Sequence, residues 1–315
     1  MIFNKNLAIV VPTYNRAQIL KVWLECHAQL MFSKNIQIHI QDNRSTDGTK
    51  QLLEEWKKRF ENITFETNKK NIGPKKNLQK AINTSDSRFV WMVGDSYFIS
   101  RELINKILLK IKSHSPLFFI INLKEHIKIL KDKYMQADFV CEKISGVLSC
   151  ISCIIYNKDK LGNINFKNIS ISYFPHTVYI LDQLKNHNSK AYWISSSIYK
   201  LSLPYQEKKN WANTSFVFEI GCKNWIDSIN SIIGYSSKSK KKAFKLFSDI
   251  TNLFSWKGGL WLRAQGLLTI NKIKNYKIYL NKSVGKKYLM LYFIAILPVF
   301  PLKVLKKIYD QCLKK

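Results

Sequence analysis

Four short polar stretches hold the residues whose types and spacing bear on chemistry: Pro12-Thr13-Tyr14-Asn15-Arg16, Asp42-Asn43-Arg44-Ser45, Gly73 to Asn77, and Gly94-Asp95-Ser96. A base and ribose need a slot in which a carboxylate accepts from a base N–H while an aromatic or proline face covers the ring. Asp42 offers such a carboxylate, and Pro12 and Tyr14 offer such faces. Lys75, Lys76 and Asn77 open a helix after Gly73-Pro74, and cations beside free helix N-terminal amides suit a diphosphate. The competing reading makes Asp42 and Ser45 helix caps and the lysines a solvated face. For either loop alone the two readings stand level. Together the loops favour a nucleotide slot.

These loops need a frame that sets them side by side. Leu7 to Val11 is a continuous apolar run of the length of a buried parallel strand, and Pro12 should end it. The next stretch carries Leu20, Trp23, Leu24, Ala28 and Met31 at the spacing of a half-buried helix. IQIHIQ then alternates with period two, and Leu52, Leu53, Trp56 and Phe60 mark a second helix. ITFETN is a third strand, and Phe89 to Val93 a buried fourth whose exit is Gly94-Asp95-Ser96. Successive βα units imply a parallel, right-handed sheet with ligands at the carboxyl ends of its strands.

In this order and at these spacings, PTYNR, DNRSTDGT, NIGPKKN and GDS resemble the family-2 glycosyltransferases, over about the first 105 residues. The resemblance implies an α/β chain of the GT-A fold, a Rossmann-like and mostly parallel sheet flanked by helices. It implies that Pro12, Thr13 and Tyr14 border the nucleotide, and that Asp42 hydrogen-bonds its base. Asn77 and Lys75 would approach the ribose and diphosphate, and Asn15, Arg16, Ser45 and Gly94 complete the candidate nucleotide-sugar site. It also implies inverting transfer from a nucleotide-diphosphate sugar, UDP-linked most often, to a hydroxyl. Family members carry two or three carboxylates where this chain has Asp95-Ser96-Tyr97. Mg²⁺ can be held by one or two carboxylates with substrate phosphates and waters, so Asp95 is the expected ligand for Mg²⁺ or Mn²⁺.

An acceptor hydroxyl must lose a proton as it attacks, so a base should stand on the acceptor side. Where the family usually places a carboxylate, this chain has ISISYFPHTVYILDQL. His176 follows Pro175 at the start of an expected helix, where a neutral imidazole is favoured over a charged one. It is the preferred base, ahead of a structural role, and Asp182 is the second candidate. His27, His39, His114, His126 and His187 lack metal-ligand spacing and receive no role. Cys150 and Cys153 form a CxxC inside an apolar run that reads as a buried strand, so they are taken as small core residues.

The 315 residues are 46% hydrophobic, ample for a core. Met1 to Lys5 leads straight into the first strand, so no signal peptide is expected, and the six cysteines should stay reduced in a cytoplasmic setting. The reading divides the chain into a nucleotide-sugar-binding half (1–105), an acceptor-binding half (106–235) and a basic, aromatic-rich helical tail (236–315). The tail holds 17 Lys and one Arg against Asp249 and Asp310, so +16 of the chain's +30. Its apolar run at 288 to 302 falls short of the roughly 20 residues of a spanning helix. Lysines bracketing apolar residues suit a segment lying on an anionic membrane surface, at the inner face of the cytoplasmic membrane. A core helix with solvated lysines is the alternative. Nucleic acid is not an expected partner, since the basic residues surround an apolar run.

The expected function is transfer of a sugar to a saccharide, expected to be lipid-linked, in lipopolysaccharide, O-antigen or capsule synthesis. A non-catalytic saccharide- or lipid-binding protein that kept the fold but lost the acid cluster is the rival. A nucleotidyltransferase would need a glycine-rich basic loop after the first strand, and PTYNRAQ is not one.

Overall fold

The computed structural model describes residues 5–167, 169, 173–201 and 211–312. The lead-in Met1 to Asn4 and the stretch 170–172 ahead of His176 lie outside the described residues. The chain divides into two compact units, Met1–Val140 with Val147–Tyr205, and Cys141–Gly146 with Gln206–Lys315. The second unit thus begins earlier than the expected tail at 236.

The first unit opens with β1 (Leu7–Thr13), α1 (Ala17–Ser33), β2 (Gln37–Asp42), α2 (Thr49–Arg59), β3 (Ile63–Thr67), α3 (Pro74–Asn83) and β4 (Phe89–Met92). There follow β5 (Tyr97–Phe98), α4 (Arg101–Ser113), β6 (Phe118–Leu123), β7 (Lys133–Gln136) and α5 (Ala137–Lys143). Then come β8 (Ile154–Asn157), α6 (Lys158–Leu161), α7 (Pro175–Asn186) and β9 (Lys190–Lys200). The strands run in the order β3-β2-β1-β4-β8-β6-β9-β5, with β7 on β9. β3, β2, β1 and β4 are all parallel, as the βα order requires. Beyond them β8 lies antiparallel to both β4 and β6, so the sheet as a whole is mixed.

The hydrophobic pattern explains which faces are buried. Leu7 to Val11 are fully buried, and Leu20, Trp23, Leu24, Ala28 and Met31 line the inner face of α1. Only the alternate residues of the early β2 turn inward, with Ile38 and Ile40 buried. Two expectations need correction. Pro12 does not end β1: it pairs with Gln41, while β4 pairs only as far as Val10. At Pro12 the strand therefore has a ladder partner on one side, where proline's missing N–H costs little. The run around Cys150 is not a strand but two short 3₁₀ turns, Val147–Ser149 and Ile151–Cys153, and only Ile154 onward enters the sheet. Cys150 and Cys153 are buried, as expected of core residues, and Cys141 and Cys222 are buried as well.

The second unit is helical: α8 (Trp225–Ser231), α9 (Ser237–Thr251), α10 (Trp256–Ala264), α11 (Ile270–Asn275), α12 (Lys277–Val284), α13 (Met290–Ile296) and α14 (Val299–Cys312). Phe218, Phe254, Leu262, Leu268, Ile273, Leu280, Leu291 and Ile294 form its core. Close packing demands glycine at position 259, where a β-carbon would stand 2.9 Å from side-chain carbons of Ile294 and Leu291. The segment Cys141–Gly146 belongs here because Glu142 pairs with Lys242 and accepts from the Ser239 hydroxyl at 2.9 Å. Leu291, Ile294 and Ala295 of the long apolar run are buried, whereas Leu289, Phe293 and Ile296 are exposed. The run is one helix face of core and one face of surface.

Candidate active site

The loops after β1 and β2 are sewn together at the carboxyl edge of the sheet. The Asn15 amide donates to the Ser45 hydroxyl at 2.8 Å, and the Thr46 amide donates to the Asn15 side-chain carbonyl at 2.7 Å. Asn15 and Arg44 hold φ of 51° and 68°, a left-handed conformation that asparagine tolerates better than most residues. Asp47 staples the start of both helices, accepting from the Ala17 amide of α1 at 3.0 Å and from Thr49 of α2. Burial works against its charge, but these hydrogen bonds outweigh it and lower its pKa.

Asp42 is fully buried and accepts from both the amide and the hydroxyl of Ser45. Its carboxylate closes its own loop, which is the capping role weighed against base recognition. Pro12 is half-buried and Tyr14 is 41% exposed, so an aromatic face stands open beside that loop. Asn77 is buried rather than presented to solvent. Its side-chain carbonyl takes a hydrogen bond from Asn68 at 2.8 Å and its amide donates to the Gln41 carbonyl at 3.3 Å. Asn68 in turn donates to Asn43 at 3.1 Å, and Asn43 to Asn71 at 2.9 Å. This asparagine network positions the loop after β3; buried amides persist only when partnered in this way. The Lys75 ammonium donates to the Ile169 carbonyl, and Lys76 is exposed.

Asp95 is the centre of the site. It is 4% exposed, and the Arg16 Nε donates to both carboxylate oxygens at 2.9 Å. Thr13 donates to the same carboxylate at 3.2 Å, and Arg16 Nη2 reaches the Ser96 hydroxyl at 3.3 Å. Thus the first loop supplies a fixed cation to the acid of the fourth strand. A divalent hard cation wants several oxygen ligands. Here a single carboxylate has both oxygens on a guanidinium, and among the described residues no three His, Cys, Asp or Glu side chains gather as a metal group. This donor set does not fit a metal held by the protein itself. Asp95, the expected metal ligand, is also the ion-pair partner of Arg16.

The turns that replaced the expected strand carry the other side of the site. The Gly94 amide donates to the Ser152 hydroxyl at 2.9 Å, and the Thr177 hydroxyl donates to the Leu148 carbonyl at 2.9 Å. One short segment therefore ties the exit of β4 to the first turn of α7. His176 lies in that turn, 4% exposed, and among the described residues neither ring nitrogen has a partner at good hydrogen-bond geometry. Burial lowers its pKa to about 4, with nearby Ser149 and Leu148 carbonyls opposing weakly, so the imidazole is neutral at pH 7. Asp182 is half-buried further along α7 and accepts from Asn186 at 3.0 Å. His27, given no role, is a core residue whose Nε2 accepts from the Ile99 amide while Nδ1 faces the Trp23 carbonyl at 2.7 Å.

Residues 8–142 match the family model described as glycosyl transferase family 2. These residues form a family-2 glycosyltransferase domain. The match takes in Asp42, Asn77 and Asp95 with their loops, whereas His176 lies beyond it. Abequosyltransferase RfbV of Salmonella typhimurium is 21% identical over a stretch covering 61% of this chain and 65% of its own. The chain therefore spans just under two thirds of that relative. Among solved structures, S. aureus TarS 1-349 in complex with UDP-GlcNAc superposes with a TM-score of 0.58 at 16% identity, covering 97% of this chain and 92% of that one. Mannosyltransferase PcManGT from Pyrobaculum calidifontis, in complex with GDP-Man and Mn²⁺, gives 0.53 at 12% identity, covering 97% and 87%. These likenesses establish the GT-A fold for the family-2 domain and its surroundings.

Proposed function

We propose that the chain transfers a sugar from a nucleotide-diphosphate donor to a hydroxyl of a saccharide acceptor in bacterial surface-polysaccharide synthesis, with inversion at the anomeric carbon. The observation that carries this reading is the interlocking of the loops after β1, β2 and β4 at one sheet edge, centred on the Arg16–Asp95 pair. Tyr14 presents a ring for the base, and the start of α3 presents Lys76 for the phosphates. Arg16, held by Asp95 in a nearly dry setting, offers fixed positive charge to the departing diphosphate without reorganising. The abequosyltransferase activity in the name of RfbV and the UDP-GlcNAc seen with TarS support sugar transfer from a nucleotide donor.

His176 takes the acceptor proton in this reading. Its pKa of about 4 gives it the basicity of an ordinary carboxylate, the group family members usually place there. His176→Ala should lower kcat by about 10²-fold, the usual contribution of a positioned base, with nucleotide affinity unchanged. A change confined to acceptor KM would make it a positioning residue. Release of free sugar and nucleotide from the donor, or transfer to an acceptor, separates this reading from a saccharide-binding protein that turns nothing over.

The exposed face of α13 and α14 supports attachment to an anionic membrane surface, which suits a lipid-linked acceptor. Phe293, Ile296, Phe300 and Leu305 are each more than half exposed, and Lys303, Lys306 and Lys307 lie among them. Among the described residues no single helix is long and apolar enough to cross a membrane; Lys277–Ile296 with Val299–Ile308 has the length and apolarity only as a pair bent by 100°.

A further inference from the structure

The helical unit contains a cavity of about 600 Å³ formed by the end of α9, the start of α10 and the end of α12. Four lysines line it, Lys241, Lys245, Lys282 and Lys287. No hydrogen bond or ion pair ties any of them to a described residue, unlike Lys242 and Lys223, which pair with Glu142 and Asp227. Asp249 is the sole carboxylate in the lining, leaving a balance of three positive charges. The C-terminal carbonyls of α9 and α12 add only fractional negative charge, which four whole charges exceed. Two further features make the cavity more than a basic patch. Ser283 lines it, is 3% exposed, and has a hydroxyl with no hydrogen-bond partner among the described residues. Trp256, at the first turn of α10, stands 53% exposed on the rim. A buried hydroxyl without a partner costs free energy unless a ligand supplies one.

We propose that this cavity binds a phosphate group carried next to a sugar, polyol or lipid portion that packs on Trp256. The volume lies within the range of small-molecule sites, the lysines supply charge-assisted hydrogen bonds to phosphate oxygens, and Ser283 supplies a neutral donor. The site shares no residue with the nucleotide loops, so it stands or falls without the transferase reading. Its ligand chemistry is that of a phosphorylated saccharide or of an anionic lipid headgroup.

The test is calorimetric titration of the full chain with inorganic pyrophosphate, comparing the native protein with Lys245→Glu/Lys287→Glu and, as a control for overall charge, Lys57→Glu/Lys58→Glu on the exposed face of α2. All four positions are exposed, so the variants should fold. Loss of two charge-assisted hydrogen bonds should weaken one saturable site at least about tenfold in the first variant and leave it in the control. Equal affinity in all three proteins, or equal weakening in both variants, would overturn the proposal. Sedimentation with phosphatidylglycerol vesicles identifies the source. Parallel loss of vesicle binding in Lys245→Glu/Lys287→Glu assigns a lipid headgroup, and unchanged vesicle binding with lost pyrophosphate binding assigns a soluble phosphorylated saccharide.

Discussion

The two units treat polar groups in opposite ways. In the first, nearly every informative side chain is engaged by another: Asp95 by Arg16 and Thr13, Asp42 by Ser45, Asp47 by two helix starts, Asn77 by Asn68 and Gln41. In the second, four lysines around a cavity have no partner among the described residues, and large apolar side chains of α13 and α14 face outward. The proposed roles account for the difference. A site that stabilises charge as it develops must be rigid beforehand, and rigidity comes from partners. A surface that awaits a ligand or a membrane keeps its capacity unspent.

The largest expected effect comes from breaking the engaged side. Asp95→Ala leaves the Arg16 guanidinium without its carboxylate in a site where the two side chains are 16% and 6% exposed. Removing one partner of a buried pair costs ~3–5 kcal/mol, so thermal unfolding should shift down by several degrees and donor turnover should disappear. Unchanged stability would mean that the pair is not formed in solution. Gly259→Val probes the core of the other unit. Its β-carbon meets Ile294 and Leu291 at 2.9 Å, so overpacking should cost ~1–3 kcal/mol while nucleotide binding is retained.

How much of this was legible in the sequence follows the same division. The βα frame could be read because strand and helix periodicities in the first 105 residues are clean and the loops carry turn residues. Pro12 departs from the proline rule for central strands because at that position β1 has a ladder partner on one side. The Cys150 run misled because apolar residues in two 3₁₀ turns lack any period that separates them from a buried strand. Asp47 in STDGT and Asn68 and Asn71 in TNKKN carry no sequence signal of their roles, and Asn43 stands in its loop with none assigned. Their roles are pairings between loops far apart in sequence, which spacing cannot reveal. The Arg16–Asp95 pair was hidden for the same reason, 79 residues apart.

Smaller effects sharpen the contrast. His27 and His176 both have pKa values lowered to about 4, chiefly by burial. Their unfolded forms bind protons near the usual 6.5, so stability they permit is complete above that pH and is lost as pH falls from about 6.5 toward 4. Thermal unfolding followed across this window should show the decline, and His27→Asn should flatten it. The smallest expected change in stability belongs to Phe293→Glu/Phe300→Glu. Both residues are exposed, at 69% and 78%, so melting should be unaltered while binding to phosphatidylglycerol vesicles falls.

The central claim is that this family-2 domain holds a nucleotide with its own cations, Arg16 foremost, at an acid that has no companions. Calorimetric titration of the full chain with UDP, CDP, GDP and dTDP, each in EDTA and again with Mn²⁺, tests it most directly. The account predicts that one nucleotide binds in EDTA with nearly the affinity it has in Mn²⁺, and that Arg16→Ala abolishes that binding. Binding that requires Mn²⁺ would contradict the role given to Arg16 while keeping the donor site, and no binding of any nucleotide would contradict the donor site itself.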